Sequence, residues 1–245
     1  MAISTNSIIH YTKSYEVLTT ILKEGLKIKY CLEELSLNGG GSFAAHPMVS
    51  FCDIPLSDSK QHFATYGKYG IGLSKEWAIK NCINPVIYID KNSHFALTIN
   101  KLLKERRKSN TKLSENLKTE ILRIKSYAKN YSETLHRNSI KTPDFRFYDE
   151  REWRLVPSDE ILNGAPFSVS RKFYLKNKAK YNKKLSGIRI KFEPVDISYI
   201  IVENTKQIRQ MTKFLRSRFL NKCTPNELDF LFSKICSIEQ IINDY

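Results

Sequence analysis

The chain has 245 residues, 41% of them hydrophobic, with 13 Phe and 13 Tyr, so it holds enough apolar material for a core and is not a disordered polymer. Its net charge of +15 attracts polyanions in a salt-sensitive way, although a lysine-rich surface without a partner would carry the same charge. No apolar run reaches the ~18 residues that span a bilayer, MAISTNS lacks a secretory pattern, and Cys31, Cys52, Cys82, Cys223 and Cys236 include no CxxC pair, so a cytoplasmic, non-membrane protein with reduced thiols is expected.

In chain order, Ser7 to Thr12 (SIIHYT) reads as a strand. Ser14 is placed to cap a helix with Val17, Leu18, Ile21 and Leu22 on one face, and Gly25 is placed to stop it. His10 sits between apolar neighbours, as a hydrogen-bonded core histidine does more often than a ligand. Asn38 to Ser42 reads as a flexible loop, a lid or a plain surface segment, with no phosphate-binding motif. Met48 to Cys52 reads as a short strand. Ser57 or Asp58 then caps a short helix carrying His62 and Phe63.

Tyr66-Gly67-Lys68-Tyr69-Gly70 sets tyrosines beside glycines. Glycine lets backbone approach a ligand and tyrosine offers a stacking face; a tight aromatic turn fits equally well. A capped helix at Ser74 and a strand at Val86 to Ile89 follow. Lys91 to about Arg137 reads as a helical hairpin inserted into a single domain, with the basic link KERRKSNTK as a solvated face or, second, a phosphate contact. Lys141 to Arg146 reads as a loop around Pro143.

Tyr148 to Val156 reads as a strand that puts Glu150, Glu152 and Arg154 on one face and Arg151, Trp153 and Leu155 on the other. Carboxylates two residues apart are costly unless solvated, paired or used. Later come a strand at Gly187 to Phe192, another at Tyr199 to Val202, and a helix from Lys206 to Leu220. Thr224-Pro225-Asn226-Glu227 is a capping box, and its helix is expected to bury Leu228, Leu231, Phe232 and Ile235. His46, Cys52, Asp53 and His62 match no zinc spacing, so no metal is expected.

The order of these pieces resembles the ADP-ribosyltransferase superfamily: a His-bearing strand and helix, a Ser-bearing strand, a Tyr/Gly segment and a late Glu-x-Glu strand. This resemblance implies an α+β fold with a split mixed β-sheet, to which the inserted helical hairpin read above, a departure from the superfamily pattern, and the C-terminal helices are added. It also implies an NAD cofactor. His10, with Tyr11 and Thr12, would hold the ribose; Tyr66 or Tyr69 would stack on nicotinamide, with Ser50 as the alternative middle residue. Glu152 would be catalytic with Glu150 beside it, and Arg151 or Arg154 would bind pyrophosphate. A fixed carboxylate stabilises the positive charge that grows on the sugar as its bond to nicotinamide breaks.

A closer resemblance is to the AbiGi-like abortive-infection proteins of bacteria. It covers Ile9 to Gly25, Pro47 to Ile89 and Tyr148 to Pro157, with PMVSFCDIPL, YGKYGIGLSKEW, NPVIYI and EREWRLVP as its most specific pieces. It implies phage resistance through a two-gene toxin–antitoxin system in which this component is an antitoxin. Two activities stay open: an NAD-using transferase acting on nucleic acid or a protein, or a non-catalytic antitoxin that binds a cognate toxin or nucleic acid.

Overall fold

The computed structural model describes residues 4–137 and 140–244. The chain divides into two compact units, Met1–Leu26 with Ser50–Ile83 and Arg189–Tyr245, and Lys27–Val49 with Asn84–Ile188. The fold is α+β with a mixed sheet.

In the first unit the strand Ser7–Thr12 is central. It pairs antiparallel with Tyr69–Ser74 from Ser7↔Ser74 to Thr12↔Tyr69, and Ile9 pairs with Cys52 at the end of the strand Gly40–Cys52. Tyr69–Ser74 pairs antiparallel with Ile197–Val202, which pairs parallel with Ile235–Ser237. That parallel edge makes the sheet mixed. The helix Tyr15–Glu24 starts where Ser14 accepts the Val17 amide and stops at Gly25, φ 92°; of its expected apolar face, Val17 is exposed. The capping box at Thr224 and Glu227 forms in full and starts the helix Pro225–Ser233. Leu228 and Leu231 are buried there, Phe232 is partly so, and Ile235 has passed into the parallel strand. A core of Ile9, Cys52, Ile54, Phe63, Ile201 and Ile238 joins sheet to helices.

Two expectations change in this unit, and the Tyr/Gly segment takes its tight-turn alternative. The helix with His62 and Phe63 runs Lys60–Tyr66 and begins at Ser59, whose hydroxyl donates to the Pro55 carbonyl and caps no amide. Gly67 and Gly70 serve packing: at Gly67, φ 129°, a Cβ would overlap the Thr12 carbonyl, and at Gly70 it would lie 3.1 Å from the Tyr11 ring. The strand expected over Gly187 to Phe192 shrinks to Arg189–Ile190.

The second unit is built on a hairpin of Lys29–Leu37 and Gly40–Cys52, in register from Lys29↔Met48 to Leu37↔Gly40. The Asn38-Gly39 pair is therefore a two-residue turn, with Gly39 at φ 75°, and not a mobile loop. The short strand expected at Met48 is the end of this 13-residue strand. Glu152–Leu155 pairs antiparallel with Asn84–Pro85, and Ile87–Ile89 pairs parallel with Ala128–Asn130. Helices His94–Arg107 and Glu115–Ser126 fill the middle segment. The helical pattern expected to Arg137 ends at Ser126, where Ala128–Asn130 and Ser132–Arg137 begin as strands. Ile140–Arg146 is a strand, not a loop; a bulge between Thr142 and Phe145 takes in Pro143 and Asp144, φ 50°. A core of Leu35, Leu37, Ile89, Ile99, Leu103 and Ala128 packs the hairpin against the helices. Arg171–Lys176 and Lys178–Lys184 are two short helices.

Candidate functional site

Among the described residues most of the buried charges, Lys125, Glu150, Glu152 and Arg154, lie in the second unit. The strand expected from Tyr148 starts only at Glu152: Phe147–Glu150 is a 3-10 turn, and Arg151 takes φ 43°. The turn brings Glu150 back beside Glu152, so the two carboxylates still converge. Lys129, from the strand Ala128–Asn130, bridges them with an ion pair to Glu150 and a 2.9 Å contact to Glu152. Arg154 is fully buried and all three of its nitrogens are engaged. Nε and Nη2 donate to the two oxygens of Glu152 at 2.8 and 3.0 Å, Nη2 donates to Glu33 at 2.7 Å, and Nη1 to the Ser126 carbonyl at 2.7 Å. The Glu152 amide donates to the Tyr88 hydroxyl at 2.8 Å.

A second buried cation lies nearby. Lys125 Nζ is 3.0 Å from His46 Nε2 and donates to the Glu33 carbonyl at 3.4 Å. Both residues have no exposed surface. Burial lowers the Lys125 ammonium to about 7, with Glu33 opposing and the positive Arg154 and Arg107 adding to the fall. Burial, then the charge of Lys125, holds His46 well below its ordinary value. Lys129 behaves oppositely: burial disfavours its charge, but Glu152, Glu150 and Glu33 outweigh that and raise its pKa. Arg154 is likewise held charged against burial by Glu152 and Glu33. Glu33, Lys129 and Glu150 also line a cavity of about 590 Å³, with Glu34 and Phe147 on its wall.

Buried ion pairs repay their desolvation only when geometry and hydrogen bonding are complete. Here the fork of Arg154 meets Glu152 bidentately, the strongest form of such a pair. The arrangement orders a turn, three strands and a helix end around one guanidinium.

Arg151 lies in the second unit, between the 3-10 turn and the strand, and the other remaining residues singled out from the sequence lie in the first unit. His10 is half-buried; its Nδ1 is 2.8 Å from the Ser50 carbonyl and its ring packs edge-on to Phe51. Tyr11 is held protonated by burial and packs on Phe63, and Thr12 is buried. The Tyr69 hydroxyl donates to Glu203 and accepts from Gln207, and the Tyr66 ring lies 5.5 Å from that of His62. Asp53 is taken by Lys75, Ser4 and Thr5. Among the described residues no three His, Cys, Asp or Glu side chains converge as a metal set.

Sequence reasoning found the Glu150, Glu152 and Arg154 grouping and missed Glu33, Lys125 and Lys129. Glu33 had a signal. Alternation puts it on the same strand face as the buried Leu35 and Leu37, where a carboxylate needs a partner. Lys125 had a weaker one, four residues after Ile121 in apolar helical register.

Residues 24–203, which include every member of this network, match the family described as "Putative abortive phage resistance protein AbiGi, antitoxin". The chain is similar to the abortive phage resistance protein AbiGi of Lactococcus lactis subsp. cremoris, 31% identical over 231 residues, which covers 81% of this chain and 88% of that protein. No solved structure matches the chain.

Proposed function

The chain belongs to the AbiGi family of abortive phage resistance proteins, and on that premise we propose that it works by binding, as the antitoxin of a two-gene abortive-infection system. It holds a cognate toxin, the product of a neighbouring gene, inactive until infection.

The observation that supports binding over catalysis is the locked state of Glu152. A carboxylate that stabilises a forming cation must reach the reacting sugar. Both oxygens of Glu152 are bonded within the protein, one to Arg154 and the other to Arg154 and Lys129. A side chain so engaged serves as framework. The test is co-expression of the chain with the neighbouring gene product, followed by capture through a tag on one of them. The expected result is a complex at low salt and relief of growth arrest; no complex at low salt sinks the reading.

One observation favours the second reading, NAD-dependent ADP-ribosyl transfer. Glu150, adjacent to Glu152 in the network, faces the 590 Å³ cavity, which has room for a nicotinamide ribose. Under that reading the purified protein consumes NAD and Glu152→Gln abolishes the turnover. Equal turnover in the variant removes Glu152 from the chemistry.

A further inference from the structure

The helix Thr205–Phe219 carries Lys206, Arg209, Lys213, Arg216 and Arg218 and no carboxylate. Its inner face is spent on the core, where Met211, Leu215 and Phe219 are buried. Lys206, Arg209, Lys213 and Arg216 are all exposed, and their spacing of three, four and three residues sets them in one stripe opposite that face. Gln210 and Ser217 lie in the same stripe and are exposed. From Lys206 to Arg216 the stripe is about 15 Å long at 1.5 Å per residue.

None of the four cations forms a salt bridge among the described residues. Glu239, which accepts from the Thr205 amide and hydroxyl, is the carboxylate beside Lys206, and Arg216 stacks over the Phe232 ring at 5.2 Å. An ordinary solvated helix looks different, as Glu115–Ser126 shows: it pairs Lys118 with Glu115 and Arg123 with Glu120. Like charges three and four residues apart each cost a helix a few tenths of a kcal/mol, and a cation in the first turn opposes the helix dipole. The stripe keeps both costs without a salt bridge among the described residues to offset them.

We infer that this stripe is a binding surface for the phosphate backbone of a nucleic acid. A row of cations along a rigid rod complements a row of phosphates, and Gln210 and Ser217 can hydrogen-bond to phosphate or sugar oxygens. A membrane surface fits less well. A helix that lies on lipid needs a free apolar face, and here that face is buried in the core. This assignment is independent of toxin binding and of NAD.

The test is binding of the full-length protein to a labelled duplex DNA and to a single-stranded RNA of the same length, at salt from about 50 to about 200 mM. Four phosphate contacts predict a slope of about −3.6 in log affinity against log salt on duplex, a loss of roughly 100-fold across that range. Arg209→Gln with Lys213→Gln should bring the slope to about −1.8 and weaken binding at least 10-fold at the lower salt. If that double variant does not fold, each single variant should remove about 0.9 from the slope. The two probes tell DNA from RNA, and a slope reduced by about 1.8 on the duplex or by about 1.4 on the single strand supports the surface. Three results overturn it: no binding to either probe at low salt; an equal slope change in Lys180→Gln with Lys184→Gln, exposed lysines on the helix Lys178–Lys184; or binding only to phosphatidylserine vesicles.

Discussion

Two charge arrangements in this molecule follow opposite rules. Around Arg154 the charges are buried and matched, Lys129 bridging Glu150 and Glu152 while Arg154 joins Glu152 to Glu33. Along Thr205–Phe219, Lys206, Arg209, Lys213 and Arg216 are exposed, of one sign, and without salt bridges among the described residues. Partners inside the protein make charge a framework, because removing one leaves another stranded in low dielectric. Exposed charge of one sign without salt bridges adds little to the fold and is open to a partner outside it. The +15 net charge alone cannot separate these cases; the pairing can.

The contrast is broken most sharply at Arg154. Arg154→Met strands Glu33 and Glu152 and should cost about 3–5 kcal/mol, read as a lower denaturant midpoint. Replacing all three together, with Glu33→Leu and Glu152→Leu added, should recover most of the loss, since an apolar core of similar volume often matches a buried ion pair. An Arg154→Met protein as stable as the parent would mean that the network is not a framework.

Lys125 gives the next effect, and its sign is set by linkage. Its folded value of about 7 lies below the ordinary 10.5, so the unfolded chain holds a proton that the folded chain has released. Stability therefore rises with pH, by about 2 kcal/mol between about pH 7 and pH 9. Lys125→Met should flatten that rise and be more stable than the parent at neutral pH. His46, also held below its ordinary value, adds a second loss of stability on the acid side, as pH falls below about 6.5. A parent whose melting temperature does not change across neutral and mildly alkaline pH would contradict a buried, readily deprotonated Lys125.

Thr224→Ala, which removes the capping box that starts the helix Pro225–Ser233, should cost about 1 kcal/mol. Arg209→Gln with Lys213→Gln should cost least. The stripe's side chains are exposed and mutually repelling, so stability should stay within about 0.5 kcal/mol of the parent. A larger loss would place those side chains in the fold and erase the contrast with Arg154.

The sequence was most readable where structure is local. Ser14 and Gly25 bound the first helix, and Thr224 and Glu227 set the cap, because each signal and its effect lie within one turn. The hairpin of Lys29–Leu37 and Gly40–Cys52 was missed, although Asn38-Gly39 is the dipeptide that such turns favour; read beside Gly40 and Gly41 it looked like a loop. Pro143 concealed the strand Ile140–Arg146, which carries it in a bulge. The candidate site was half legible. Glu150, Glu152 and Arg154 fall on one face by alternation, but the cation that bridges the carboxylates comes from residue 129, and the third carboxylate from residue 33. No local pattern encodes such distant partners.

The most direct measurement of the central claim is capture of the neighbouring gene product by the purified chain in NAD-free buffer at low salt. Binding by a framework protein predicts a stable complex with no cofactor added. No complex under those conditions, together with NAD consumption that Glu152→Gln abolishes, would contradict it and make Glu152 a reacting carboxylate.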